Sequence, residues 1–199
     1  YEQHSKPGGY ISSFSREGYT FPAGPTSFGS NGVVFPILQE IGLRDKLEFA
    51  PIRHQMSWGN EDVLFDSPAQ ARDALGQAFP HEKGGLRRFF RWVEVGARGF
   101  REMSESGLML SSGRNVWRQV LPIVLHNPLY PWATGITRGK TNHDLYARFF
   151  RDAKLREMLG RLGYPVMGGP FTLGMWASYF CDYYMPRGGM HGVADLLSD

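Results

Sequence analysis

Between Leu86 and Met103 the apolar residues Leu86, Phe89, Phe90, Val93, Ala97, Phe100 and Met103 fall on one helical face. Arg87, Arg91, Glu94, Arg98 and Arg101 fall largely elsewhere. A long amphipathic helix owes its stability to whatever covers its apolar stripe, so this run commits the middle of the chain to a packed helical layer. Further helices are predicted over residues 114–125, 142–150, 152–162 and 172–182, and from Ser67-Pro68-Ala69-Gln70, which carries capping-box chemistry. With 199 residues and 42% hydrophobic content, the chain holds one sizeable core or two lobes.

The flanks differ. Tyr10 to Phe14 and Tyr19 to Phe21 read as a hairpin turning at Ser15-Arg16-Glu17-Gly18. A helix over residues 33–41 follows, with Ser30 or Asn31 as its cap, Pro36 early and Gly42 as terminator. A second hairpin spans residues 52–65 and turns at Gly59-Asn60, and residues 183–185 read as a strand near the end. Tyr1-Glu2 has the character of a strand end, and Met190, Val193, Ala194 and Leu197 open a helix that stops at Asp199, so both termini read as interruptions of larger elements.

Composition excludes several function classes. Cys181 stands alone, which rules out an internal disulfide and a cysteine zinc site and fits a reducing, cytoplasmic compartment. The six histidines have no ligand spacing, so no metal is expected. No run of 18 or more uninterrupted apolar residues marks a membrane span, and no signal peptide is recognisable. The net charge is +3; the arginines between Arg87 and Arg118 suit a solvated helix face or an anionic surface better than nucleic acid, which is not expected as a partner.

Glu2 at a strand end, with Gly8-Gly9 six residues on, matches the place where a dinucleotide fold binds ribose hydroxyls and lets backbone approach the cofactor; an ordinary surface turn has the same composition. The continuation Ser12-Ser13-Phe14-Ser15-Arg16-Glu17-Gly18-Tyr19-Thr20-Phe21-Pro22-Ala23-Gly24-Pro25 is more specific. Together with Glu2 and Gly8-Gly9 it resembles the flavin-binding segment of the phytoene desaturase, carotenoid isomerase and retinol saturase family. Tyr184-Met185-Pro186-Arg187-Gly188-Gly189-Met190 resembles the segment by which those enzymes return from substrate domain to flavin domain. The helical middle resembles them only in character.

The resemblance implies an α/β fold: an internal fragment of an FAD/NAD(P)-binding Rossmann-like flavoprotein with a largely helical substrate domain carrying a small β-sheet. Residues 1–46 would be a partial FAD-binding domain, 47–182 the substrate domain, and 183–199 the return to the FAD-binding domain. It implies FAD as cofactor. Glu2 would bind the adenosine ribose, Gly8, Gly9 and Ser13 would lie beside the diphosphate and ribityl chain, and Gly24 and Pro25 near the isoalloxazine ring. Tyr184, Gly188, Gly189 and Met190 would border the substrate, a carotenoid or other isoprenoid polyene that is desaturated, saturated or isomerised through hydride transfer with the flavin, with no side-chain triad. The first-strand phosphate loop and the C-terminal flavin segment of the family lie outside the sequence, so the piece alone is expected to bind FAD poorly and to be inactive. Tyr10 stands where many members have arginine, and Pro22 where many have an acid, which leaves the subfamily and its reaction open.

Phe171, Trp176, Tyr179, Phe180, Tyr183 and Tyr184 suit core packing or the lining of an apolar channel. The segment from Trp117 to Trp132 mixes leucines, aromatics and prolines beside Arg114 and Arg118; it suits an irregular buried connection or peripheral contact with a bilayer surface. Two other readings compete: a flavin amine-oxidase-like enzyme, and a non-catalytic helical module that binds membrane or a partner. The flavoprotein reading requires Glu2, Gly24 and Gly188 to surround one cofactor, whereas the module does not require the two ends of the chain to converge.

Overall fold

The structure is a computed structural model that describes residues 7–58, 61–106, 108, 116–164 and 166–198. A 3-10 turn at Gly9–Ile11 leads into strands β1 (Ser13–Arg16) and β2 (Tyr19–Pro22), helix α1 (Val34–Glu40) and strand β3 (Phe49–Pro51). Strands β4 (His54–Trp58) and β5 (Glu61–Phe65) precede helix α2 (Pro68–Ala78), a 3-10 turn at Pro80–Glu82 and the long helix α3 (Lys83–Glu105). Helices α4 (Val116–His126), α5 (Tyr130–Thr137), α6 (Asn142–Phe149), α7 (Ala153–Gly160) and α8 (Gly169–Cys181) follow, then strand β6 (Tyr184–Pro186) and helix α9 (His191–Ser198). The architecture is mixed, mainly helical with small sheets. Among the described residues the sheets are antiparallel pairs, β1 with β2, β3 with β6 and β4 with β5. The chain divides into two compact units, one made of the described residues of Tyr1–Ile52 with Asp182–Asp199 and the other of Arg53–Cys181.

In the unit Arg53–Cys181, α3 is the axis against which α2, α4, α5, α6 and α8 pack. The apolar stripe read from the sequence is the buried one: Leu86, Phe89, Phe90 and Val93 are almost wholly shielded, with Ala97 and Phe100 close behind. Phe89 contacts the rings of Trp92, Tyr146, Phe149 and Trp176 at 5.1–6.0 Å between centroids. Both buried indoles find acceptors. Trp92 donates from Nε1 to the Ala133 carbonyl at 2.9 Å, and Trp176 donates to the Tyr146 hydroxyl at 2.9 Å. Close helix approach depends on glycine: a side chain at Gly96 would overlap Leu173 of α8, and one at Gly99 the ring of Tyr130 on α5.

Local chemistry explains the helix starts. Ser67 accepts from the Gln70 amide at 3.2 Å with Pro68 in the first turn, Thr141 and Asp144 form a reciprocal capping box, and Asp152 accepts from the Leu155 amide at 2.8 Å. Glu82 is buried, and its Oε1 accepts from the backbone amides of Arg151 and Asp152, each at 2.6 Å. That bond ties the entry to α3 to the entry to α7. Helix α5 departs from the sequence expectation, which left residues 126–141 without a helix; Pro131 sits in its first turn, where a missing amide costs nothing. Helix α8 begins three residues before the expected start at residue 172, and the hairpin β4–β5 begins at His54 rather than at residue 52. Its turn at Gly59-Asn60 lies outside the described residues.

In the other unit, β1 starts at Ser13, not at Tyr10, which lies in the preceding 3-10 turn. Ser15 pairs with Thr20 and Arg16 with Tyr19, so the hairpin turns on Glu17 and Gly18 alone. Both have positive φ, 53° and 82°, as a two-residue type I′ turn requires. The N-cap of α1 is Val33, not the expected Ser30 or Asn31, and it makes no side-chain cap bond; the Phe35 amide in the first turn donates to the Ser30 hydroxyl at 3.0 Å, and the backbone amide of Asn31 donates to buried Asp182 at 2.7 Å. Strand β6 pairs with β3 from Phe49↔Pro186 to Pro51↔Tyr184, and Phe28 bridges to Tyr184. Phe28, Phe35, Phe49 and Tyr184 form a half-buried aromatic group, with the Arg44 guanidinium 4.0 Å from the Phe35 ring centre.

Candidate functional site

The pairing of β6 with β3 returns the end of the chain to its beginning, close to several of the glycines singled out from sequence. Gly188 and Gly189 follow β6 with φ of 85° and 93°, and the Gly189 amide donates to the Pro186 carbonyl at 2.9 Å, turning the chain into α9. Gly8 and Gly9 enter the first 3-10 turn with φ of 116° and 51°. A Cβ on Gly8 would stand 2.9 Å from the Cβ of Ala194 and 3.7 Å from Nδ1 of His191, so α9 lies directly against the first glycine pair. A Cβ on Gly189 would stand 3.7 Å from the Ser13 hydroxyl. Gly24 lies against the Tyr10 backbone, and the Ala23 amide donates to the Ser12 carbonyl at 2.9 Å. Gly8, Gly9, Ser13, Gly24, Gly188 and Gly189 thus share one neighbourhood.

The remaining candidates are placed differently. Glu2 lies outside the described residues, and Pro25 is exposed. Met190 is buried in the turn just before α9, and Tyr184 belongs to the Phe28, Phe35 and Phe49 group. Of the aromatic stretch 171–184, Trp176 is in the core of the larger unit and Phe171 is 76% exposed.

Two polar atoms at the junction are buried without a hydrogen-bond partner among the described residues: Ser13 Oγ and His191 Nδ1. The other imidazole nitrogen of His191 is 3.0 Å from the Asp195 carboxylate one turn along α9, which fixes the ring and leaves Nδ1 on the Gly8 side. Sequence reasoning missed His191. Its signal was an acid four residues later on a short helix, a pattern too common to single out before its contact with Gly8 is known. Buried polar atoms without partners are costly, so Ser13 and His191 mark a place with unused hydrogen-bonding capacity. Gly9 and Gly188 have nothing within 4 Å of a built Cβ, which leaves their backbone open to close approach. Positive-φ glycines, a free hydroxyl and a fixed imidazole are donors and acceptors of the kind a phosphate-bearing cofactor uses.

Burial pushes the His54 imidazole below its ordinary value and raises the Tyr146 phenol far above its own. Among the described residues no group of histidine, cysteine and acidic side chains is placed to hold a metal ion, and no helix is long and apolar enough to cross a membrane.

No protein-family profile matches the chain. It is similar to hydroxyneurosporene desaturase of Rhodobacter capsulatus, with 25% identity over 209 aligned positions. The similarity runs over 99% of this chain and 41% of that enzyme, so the chain spans about two fifths of the length of the curated relative it matches.

Proposed function

We propose that the chain is part of an FAD-dependent oxidoreductase of the phytoene desaturase type, acting on a carotenoid or related isoprenoid polyene. The observation that carries the reading is the meeting of Gly8-Gly9 and Ser13 with Gly188-Gly189 in one unit, in a chain whose similarity to a carotenoid desaturase runs end to end. In this reading that unit is the remnant of a Rossmann-like flavin domain, and Arg53–Cys181 is the helical substrate domain. The non-catalytic module is disfavoured because it gives no reason for remote glycine turns to converge on a buried, unpartnered hydroxyl.

FAD, when bound, supplies the two-electron chemistry. This chain's residues bind and orient: Gly9 and Gly188 admit the cofactor backbone, Ser13 Oγ satisfies an oxygen of the ribityl–diphosphate portion, and Gly24 and Pro25 border the ring end. Glu2 takes the adenosine ribose. Tyr184 and Met190 border the polyene, which offers no ionisable group and is bound through buried apolar area.

The test is the visible absorbance of the full-length protein containing these residues, purified in the presence of FAD, followed by assay on phytoene with an added quinone as electron acceptor and on prolycopene and retinol with an added reductant for the flavin. Bound flavin and turnover of one polyene are expected. Ser13→Ala should weaken FAD binding several-fold without lowering the unfolding midpoint, because the hydroxyl it removes has no partner inside the protein. Colourless protein that stays apo with added FAD would defeat the reading.

A further inference from the structure

His191 opens α9 with its imidazole largely shielded, and the two ring nitrogens meet different surroundings. Nε2 is 3.0 Å from the Asp195 carboxylate, whereas Nδ1 is buried without a hydrogen-bond partner among the described residues. A carboxylate beside one nitrogen keeps the imidazole proton there, so the other nitrogen carries the lone pair and can only accept. An acceptor buried without a donor is costly, and this one faces the first glycine turn: a Cβ on Gly8 would stand 3.7 Å from Nδ1.

That polarity decides which part of a ligand fits. Diphosphate oxygens are acceptors, and an acceptor set against a lone pair is repelled; a hydroxyl donates. Ser13 Oγ is also buried without a partner, and it lies 3.7 Å from a Cβ built on Gly189, two residues before His191. A hydroxyl that works either way beside a nitrogen that only accepts matches a polyol, whose oxygens both donate and accept. Among the described residues, the segments packed against the start of α9 are the first turn, which brings Gly8 and Ile11, and the stretch before β3, which brings Leu47 against Gly192. The charged groups carried there are Asp45, Lys46 and Glu48, the last paired with Arg187 at 2.8 Å.

We infer that Nδ1 of His191 accepts a hydrogen bond from a hydroxyl of the ribityl chain, with Asp195 holding the tautomer, an assignment that rests on the flavin reading. Ser13 takes a neighbouring oxygen, and the diphosphate is left to the open backbone at Gly9.

FAD binding to the full-length protein, followed by quenching of flavin fluorescence between about pH 5.5 and 8, tests it. Protonation removes the lone pair, so affinity is expected to fall as pH drops through the ordinary imidazole range, about 6.5. His191→Phe keeps a flat ring without the acceptor; it should bind FAD about two- to tenfold more weakly at the alkaline end and show no such fall. Its affinity for ADP, which lacks the ribityl chain, should be unchanged when read by competition with FAD. A wild-type profile that is flat, or that rises toward acid with a proton taken up on binding, overturns the inference, the latter by assigning the imidazole to diphosphate. So does ADP weakened as much as FAD, or His191→Phe binding like wild type. The wild-type profile decides alone if the variant misfolds. Wild-type protein that takes up no FAD at any pH defeats the flavin reading itself, and this assignment with it.

Discussion

Gly8 and Gly9 are adjacent, and each is glycine for a different physical reason. At Gly8, φ is 116° and the absent side chain leaves the space that Ala194 of α9 approaches; at Gly9, φ is 51° and the space is empty. The left-handed conformation alone costs an ordinary residue about 1–2 kcal/mol. Gly9→Ala should therefore lower stability by about that amount, and Gly8→Ala by more, because it also displaces α9. Urea unfolding of the two variants checks the order; equal losses would show that α9 does not rest on Gly8. The glycine pair was legible in the sequence as a special turn. Its contact with Ala194 and His191 was not, because a residue's neighbours across a fold depend on pairing between β3 and β6 that no local pattern encodes.

Helix α3 was the most legible element, since its apolar stripe and its buried face coincide. Helix α5 was illegible because Pro128 and Pro131 read as breakers, and only the position of a proline within the first turn separates a breaker from a starter. Glu82 was equally hidden: nothing local distinguishes it from a solvated acid, yet it accepts the amides of Arg151 and Asp152. Glu82→Ala should cost on the order of 3 kcal/mol, by leaving those amides without their acceptor, and thermal or urea unfolding will read it directly. The helix caps also predict an acid response. The Leu155 amide first and His81 second hold the Asp152 carboxyl below its ordinary 3.8, and the Thr141 amide and hydroxyl do the same for Asp144. A carboxylate with a depressed folded pKa contributes stability above its unfolded value and loses it as pH falls through the folded one. The urea midpoint should accordingly drop as pH is lowered below about 4, and Asp144→Asn with Asp152→Asn should flatten that drop.

At the scale of the whole molecule, the organising fact is that the two ends of the chain build one unit and the stretch Arg53–Cys181 forms the other. The sequence suggested a return of the chain end to its beginning only through two terminal segments that resemble parts of one kind of enzyme. Which side chains those segments bring together was beyond it, because the return strand's partner, β3, is only Phe49-Ala50-Pro51, too short and irregular to read as a strand. If both segments contact one flavin, FAD must slow backbone exchange in both at once. Hydrogen–deuterium exchange of the full-length protein with and without FAD measures this: protection is predicted together in peptides covering residues 8–25 and 186–195, and FAD-dependent protection absent from both, or confined to one, would contradict the account.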